Sequence, residues 1–328
     1  MAPVISEVAT SFTAVFCLCF PFALMITLVA PALAAAADVS GLVEIGGGRK
    51  MYLACSGVGS PTVVLIAGKG NGAADWKAVL DPADPAHDAD YDAVAWGKGD
   101  LHESESAVFP MVSHWTRVCA YDRPGTRLEG ADQSTPIAQP HRADQAADDL
   151  HRLLTVAGEF GPYVLVAHSY GGVIATLFAR TWPAEVAGLV MVDTVTELMQ
   201  RIASPEALAK WDEVNRRSSS GAQEGVMLID AFAKIDAASP LRALPAVVLS
   251  ADKPWQPPSA TKESQEAAGV TFADWEASED LLATILNAKH VTKTRSGHAI
   301  YAYSPQLVID AIREVVDAAR GGASRVAP

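Results

Sequence analysis

A serine in a short glycine-containing turn is the residue of this 328-residue chain best suited to do chemistry. Ser169 lies in the segment Ala167-His168-Ser169-Tyr170-Gly171-Gly172, after an apolar run and before a segment with helical spacing. A serine on a sharp strand-to-helix turn, with small residues two positions away on either side, is typical of a nucleophile elbow. The flanking residues must be small because the tight turn brings neighbouring backbone close. The segment therefore predicts Ser169 as a catalytic nucleophile.

A serine nucleophile needs a base that removes its proton. His298, within Ser296-Gly297-His298-Ala299-Ile300, follows the last predicted strand and precedes the terminal helix. This position predicts His298 as the base, which takes the Ser169 proton and returns it to the leaving group. His290 is the rival, but it begins the last strand and so lies at the wrong end of it. His168 is interpreted as a packing residue.

Alternating strands and helices must position these residues. Short β-branched runs predict strands, and apolar positions three and four residues apart predict helices. The predicted elements are a hairpin over 43–53, strands at 61–67, 116–121, 163–167, 188–192, 246–250 and 290–294, and helices at 141–157, 173–180 and 306–320. The β-α-β alternation indicates an α/β fold with one mostly parallel sheet and helices on both faces.

Two segments interrupt this alternation. Residues 81–106 are acidic and contain Pro and Gly residues, which predicts an insertion on the surface. Residues 196–244 are helical in pattern and separate two strands of the sheet. That is where a cap over an active site would lie, so we interpret this segment as a small helical cap. A peripheral helical excursion without a role is the alternative.

Residues 43–320 resemble the α/β-hydrolase superfamily. The similarity rests on motifs in the same order as in that superfamily: Leu65-Ile66-Ala67-Gly68-Lys69-Gly70, Tyr121-Asp122-Arg123-Pro124-Gly125, Val166-Ala167-His168-Ser169-Tyr170-Gly171-Gly172, Leu189-Val190-Met191-Val192-Asp193 and Ser296-Gly297-His298-Ala299-Ile300. The resemblance implies an α/β-hydrolase fold with an eight-stranded type of sheet, as one domain over residues 38–328.

The resemblance also implies a serine hydrolase that cleaves an ester, thioester or lactone through an acyl-enzyme on Ser169. The superfamily hosts many reactions. An amidase, an acyltransferase and a catalytically weak binding protein with the same fold therefore stay open as alternatives. Members that cleave halides and epoxides carry Asp in place of Ser169, which argues against those two reactions.

Further site residues follow from the same resemblance. The oxyanion hole is expected to use the backbone N–H groups of Tyr170 and Lys69. The acid that orients the base has two candidates. Asp193 ends the strand after the nucleophile helix, and Asp252 follows the strand after the predicted cap. Asp193 is favoured, and Asp252 remains the alternative.

The start of the chain indicates export. No residue from 8 to 37 is charged, and the apolar run ends in small residues with an A-x-A pattern. This predicts a secretory signal peptide over residues 1–37. An N-terminal membrane anchor formed by residues 8–34 is the alternative, since the run is long enough to span a bilayer. Both place the rest of the chain outside the cytoplasm, in the periplasm or the extracellular space.

Cys55 and Cys119 are the two cysteines that follow the export segment. An oxidising compartment permits a disulfide between them. The resemblance to α/β hydrolases places them on neighbouring strands, which favours that disulfide.

Composition excludes several other functions. The formal net charge is −13, which disfavours binding to nucleic acid or to an anionic membrane surface. The chain has four cysteines and neither a C-x-x-C pair nor an H-E-x-x-H helix, so no metal site and no cofactor are expected. The expected partner is a small acyl substrate, with no membrane contact beyond the N-terminal segment.

Overall fold

The computed structural model describes residues 1, 37–93, 99–126, 133–217, 224–267 and 269–326. The chain divides into two compact units, Met1–Ala35 and Ala36–Pro328. The predicted signal segment lies outside the described residues apart from its first and last positions. Among the helices that are described, none has the length and apolar character needed to cross a membrane.

The second unit is built on a sheet whose strands match the apolar runs of the sequence. The described residues form the strands β1 (Val39–Gly46), β2 (Arg49–Ser56), β3 (Thr62–Ile66), β4 (Ala78–Leu80), β5 (Leu101–Glu103), β6 (Val118–Tyr121), β7 (Tyr163–Ser169), β8 (Val186–Thr194), β9 (Ala246–Leu249) and β10 (Lys289–Val291). Eight of them form one sheet in the order β1-β2-β6-β3-β7-β8-β9-β10. The β1–β2 and β2–β6 pairs are antiparallel, and every pair from β6 to β10 is parallel.

Helices cover both faces of this sheet. They are α1 (Val108–Ser113), α2 (Ala143–Ala157), α3 (Gly171–Thr181), α4 (Pro205–Arg216), α5 (Leu228–Ala237), α6 (Lys262–Gln265), α7 (Phe272–Leu286), α8 (Ile300–Tyr303) and α9 (Pro305–Arg320). Alternate residues of a strand point to opposite faces. Accordingly, Val64 and Ile66 join a core with α2 and α3, whereas Val63 and Leu65 join a second core with α1 and α9. The α/β fold predicted from the sequence is confirmed.

The described parts of the segments 81–106 and 196–244 form helices and a short strand outside the eight-stranded sheet. Residues 196–244 contain a 3-10 turn at Glu197–Arg201 together with α4 and α5, between β8 and β9. In the segment 81–106, β5 pairs with β4 as a separate two-stranded sheet, which the sequence pattern did not predict. This segment was predicted on the surface, but its Ala86 and Asp92 are buried. Residues 94–98 and 218–223 lie outside the described part of these segments.

A disulfide joins Cys55 and Cys119. The two residues are direct partners in the antiparallel β2–β6 ladder, which agrees with the expectation from the resemblance that they lie on neighbouring strands. Both side chains are buried in the core. The bond ties the antiparallel edge of the sheet to its parallel centre.

Candidate active site

The predicted nucleophile lies where β7 meets α3, at the carboxyl edge of the parallel strands. Ser169 is the last residue of β7, and α3 begins two residues later at Gly171. The φ angle of Ser169 is +52°, in the left-handed region that residues other than glycine rarely occupy. A Cβ on Gly171 would lie 2.3 Å from the carbonyl oxygen of Ile66. The turn therefore has the sharp form and the steric need for a small residue that the sequence predicted.

The predicted base and the favoured acid are hydrogen-bonded to each other. Nδ1 of His298 lies 2.6 Å from Oδ2 of Asp193. A carboxylate can only accept, so Nδ1 carries the proton and Nε2 is the nitrogen that can take another. Both side chains are buried, with Asp193 0 % and His298 6 % exposed. The pair lies beside the elbow, because the ring of His168 is 4.5 Å from that of His298.

A local irregularity of β8 aims Asp193 toward the histidine. In the ladder with β7, His168 pairs with Val192 and Ser169 pairs with Thr194, so Asp193 is an extra, unpaired residue. Its φ angle is +47°. Such bulges redirect side chains and are common next to active sites. The second carboxylate oxygen, Oδ1, accepts the N–H of Ala251 at 2.9 Å, which fixes the orientation of the carboxylate.

The other acid candidate has a different set of partners. Oδ1 of Asp252 accepts the backbone N–H of Ser296 at 3.0 Å and the hydroxyl of Thr294 at 3.3 Å. Asp252 thus holds the loop that leads from β10 to His298. The rival histidine, His290, lies within β10 and bonds Oγ of Ser250 at 2.8 Å through Nε2.

Asp92 is a site residue that the sequence analysis missed. Its Oδ2 accepts the backbone N–H of His298 at 2.9 Å, and its Oδ1 accepts the hydroxyl of Tyr303 at 2.8 Å. A Cβ on Gly297 would lie 2.1 Å from Cγ of Asp92, so only glycine fits at that position. Asp92 belongs to the acidic segment 81–106, which was interpreted as a surface insertion. One more acidic residue in such a segment does not indicate that it is buried at a site.

Glu279 of α7 was missed as well. It is fully buried, and its Oε1 accepts both the N–H and the hydroxyl of Thr194, at 3.1 and 2.9 Å. Burial raises the pKa of the Glu279 carboxyl well above its usual value, and the nearby charge of Asp193 raises it further. A buried carboxyl group therefore lies behind the strand end that carries Asp193.

The rings of Trp275 and His168 both lie against the ring of His298. The ring of Trp275 meets His298 edge-on at 5.4 Å between centroids. Nε2 of His168 lies 3.0 Å from the carbonyl oxygen of His298. Burial lowers the pKa of His168 well below its usual value, so this ring is neutral and acts as a hydrogen-bond donor to that carbonyl. His168 packs against His298, the predicted base, in line with its interpretation from the sequence as a packing residue.

The loop expected to supply an oxyanion donor follows β3. The side chain of Lys69 turns to the segment 196–244, where its Nζ donates to the carbonyl of Arg217 at 2.8 Å. Burial lowers the pKa of Lys69. The N–H of the next residue, Gly70, is bound by Glu224. The N–H groups of Lys69 and Tyr170 remain the predicted oxyanion donors.

Metal-ligating side chains come together at a single place among the described residues. Cys55, Cys119 and Glu159 lie close enough to share an ion. The two sulfurs are already bonded to each other, so they are not thiolate ligands.

The sequence and the structure resemble known proteins. The sequence model of the "Alpha/beta hydrolase family" matches residues 63–311. A "Probable transporter efuK" of Hormonema carpetanum is 32% identical over 155 residues, which is 41% of this chain and 21% of that protein. The match thus spans about a fifth of the length of that curated relative.

Solved structures share the fold at low identity. A thermophilic esterase from Thermogutta terrifontis is 20% identical with a TM-score of 0.52, and the alignment covers 87% of this chain and 99% of the esterase. A bromoperoxidase from Bacillus anthracis is 17% identical with a TM-score of 0.50, covering 85% and 100% of the two chains.

Proposed function

Because this chain belongs to the alpha/beta hydrolase family, we propose that it is a serine hydrolase that cleaves an ester, thioester or lactone through an acyl-enzyme on Ser169. The observation that carries the proposal is the 2.6 Å hydrogen bond between His298 and Asp193, next to a serine on a strained strand-to-helix turn. Acyl transfer on a serine requires a nucleophile, a base and an acid that orients the base, which are the roles that we propose for Ser169, His298 and Asp193. The fold alone does not select the reaction, since an esterase and a bromoperoxidase share it.

The reaction follows from the roles of these side chains. Oγ of Ser169 attacks the substrate carbonyl carbon while Nε2 of His298 takes the hydroxyl proton, and Asp193 stabilises the imidazolium. The N–H groups of Tyr170 and Lys69 hold the tetrahedral oxyanion. The intermediate collapses, the bond to the leaving oxygen or sulfur breaks, and His298 returns the proton to that atom. Water then attacks the acyl-enzyme with His298 again as base, which releases the carboxylic acid and restores Ser169.

A fluorophosphonate probe tests the proposal. The wild-type protein is expected to be labelled, and Ser169→Ala is expected to lose both the label and at least about 10⁴-fold in turnover. Absence of label on the wild type, or label that survives Ser169→Ala, would contradict the proposal. A panel of short- and long-chain esters, thioesters and lactones then defines the substrate, with amides and added alcohol acceptors as tests of amidase and acyltransferase activity.

We also infer that the protein is exported. The uncharged apolar run of residues 8–37 and the Cys55–Cys119 disulfide support this, because disulfides persist in oxidising compartments. The mass of the mature N-terminus distinguishes the two forms of export. Loss of residues 1–37 is expected for a signal peptide, whereas their retention would favour the membrane anchor.

A further inference from the structure

A fully buried ion pair connects two segments that are distant in sequence. Arg123 follows β6, and Glu224 lies between α4 and α5 in the segment 196–244. Nε of Arg123 donates to Oε1 of Glu224 at 2.7 Å, and Nη2 donates to Oε2 at 3.0 Å. The two side chains are 1 % and 0 % exposed. The motif around Arg123 was noted in the sequence, but the proposed reaction makes no use of this pair.

The remaining donors and acceptors of the pair bind the loop after β3. Nη1 of Arg123 donates to the carbonyl of Ala67 at 2.9 Å, and Nη2 donates to the carbonyl of Gly68 at 2.6 Å. Oε2 of Glu224 accepts the N–H of Gly70 at 2.7 Å. The loop is therefore held on both sides of Lys69, whose N–H is a predicted oxyanion donor.

The pair also touches the second predicted donor. The guanidinium carbon of Arg123 lies 5.6 Å from the centre of the Tyr170 ring, within the range of a cation–π contact. The ring of Tyr170 is buried, so Arg123 packs against it in the interior of the protein. One ion pair thus binds the backbone on both sides of Lys69 and contacts the ring of Tyr170, the two residues that are expected to supply oxyanion donors.

We propose that the Arg123–Glu224 pair positions the oxyanion hole, so that the segment 196–244 has a direct part in turnover through Glu224. This rests on the proposed serine hydrolase function. Transition-state donors act only when they are held at the place where the oxyanion forms. The pair holds the loop that carries one donor and contacts the residue that carries the other. Arg123 and Glu224 are positioning residues, since they act through the backbone of the loop.

The chain contains a matched control at the opposite end of β6. Arg117 directly precedes this strand and is buried together with Glu159, at 3.2 Å between Nε and Oε1. Arg117 also donates to two backbone carbonyls, those of Gly57 and Ala37. Both are buried Arg–Glu pairs that also bind backbone carbonyls, and Arg117 has a second carboxylate partner in the exposed Asp38, at 3.5 Å. Only the pair of Arg123 lies at the carboxyl edge, where Ser169 is found.

The experiment compares apolar replacements of the two pairs. A buried ion pair can often be replaced by apolar residues of similar size with little loss of stability. Arg123→Met/Glu224→Leu and Arg117→Met/Glu159→Leu are therefore measured by thermal unfolding, by steady-state kinetics, and by hydrogen exchange of a peptide covering residues 67–71. The single variant Glu224→Gln, which keeps an oxygen acceptor for Gly70 and a similar volume, is measured alongside them.

The Arg123/Glu224 double variant is expected to lose about 10²-fold in kcat with little change in KM, as on removal of an oxyanion donor. Its 67–71 peptide is expected to exchange faster. Glu224→Gln should retain more turnover than the double variant, and the Arg117/Glu159 control should retain wild-type kcat and exchange. An equal fall of kcat in both double variants, or unchanged kcat in the Arg123/Glu224 variant, would overturn the proposal.

Failure of the proposed serine hydrolase function can be told apart from failure of the positioning role of the Arg123–Glu224 pair. A wild-type protein that neither reacts with the fluorophosphonate nor turns over any acyl substrate would contradict the serine hydrolase. The exchange measurement does not depend on turnover. Unchanged exchange of the 67–71 peptide in the Arg123/Glu224 variant would show, independently of any activity, that the ion pair does not hold the loop after β3.

Discussion

Oδ2 of Asp193 accepts a hydrogen bond from Nδ1 of His298, whereas the carboxylate of Asp252 bonds the loop that precedes the histidine. The two acids that the sequence leaves open thus have different partners. One orients a ring, and the other shapes the backbone that leads to it. Their substitutions are expected to have different effects.

Asp193→Asn is expected to lower kcat by about 10⁴-fold, because the amide favours the wrong tautomer of His298. Asp252→Asn keeps an oxygen acceptor for the N–H of Ser296, so we expect a loss of less than about tenfold in kcat and about 1 kcal/mol in the free energy of unfolding. Steady-state kinetics and urea unfolding of both variants provide the comparison. A larger loss of kcat in Asp252→Asn would reverse the assignment of the acid.

Asp92 is expected to act through the backbone of His298. Asp92→Ala leaves that N–H without its acceptor and should cost about 1–3 kcal/mol of stability. It should also lower kcat, because the imidazole is displaced. Gly297→Ala is expected to be more harmful in the wild type than in Asp92→Ala, where the clash with the carboxylate is absent. A double-mutant cycle on kcat and on stability measures this coupling, and additive effects would contradict it.

Lowering the pH is expected to destabilise the folded protein, because His141 is protonated more readily in the unfolded chain. This side chain is 2 % exposed, and within the described part of the chain neither ring nitrogen has a hydrogen-bond partner. Burial lowers the pKa of His141, so the unfolded chain takes up the proton first as the pH falls. Stability is therefore lost below the unfolded pKa of about 6.5, by up to about 1.4 kcal/mol per pH unit for this one proton.

His141→Phe removes that proton-binding site and keeps an aromatic ring of similar shape. Between pH 6.5 and about 5, its free energy of unfolding is expected to fall less steeply than that of the wild type. Urea unfolding at a series of pH values gives both slopes. Parallel curves for the two proteins would show that His141 does not contribute to the acid sensitivity.

The Cys55–Cys119 disulfide is expected to contribute strongly to stability. It closes a loop with a sequence separation of 64 residues, for which the chain-entropy relation gives about 4 kcal/mol. Unfolding with and without reductant measures the loss, and free-thiol counts verify the oxidation state. The Cys55→Ala/Cys119→Ala variant should not respond to reductant. An equal response of this variant and the wild type would assign the effect to something other than the disulfide.

The strand that carries Ser169 and the turn at its end could be predicted because their signal is local. An apolar run, a glycine-containing turn and a helical spacing follow each other within a few residues. Asp193 could also be proposed from the sequence, since it ends a strand that the hydrophobic pattern identifies. The choice between Asp193 and Asp252 was harder, because it depends on a one-residue irregularity in a ladder, which hydrophobic pattern does not encode.

Asp92 and Glu224 could not be found in this way. Each binds a backbone N–H that is far along the chain, at separations of 206 and 154 residues. Both residues lie in segments between regular elements, where an acidic side chain usually indicates solvent exposure. Their role arises only from the tertiary structure, which brings a buried carboxylate to each of two loops at the same edge of the sheet.

Ser169 and Asp193, the proposed nucleophile and acid, both have left-handed backbone conformations. A residue with a Cβ in this region costs on the order of 1 kcal/mol, which glycine avoids. Selection for thermal stability alone would therefore favour Ser169→Gly and Asp193→Gly, and both changes remove a side chain of the proposed triad. Engineering of this protein for heat resistance would need a simultaneous screen for turnover, since these two stabilising changes of the backbone are expected to abolish it.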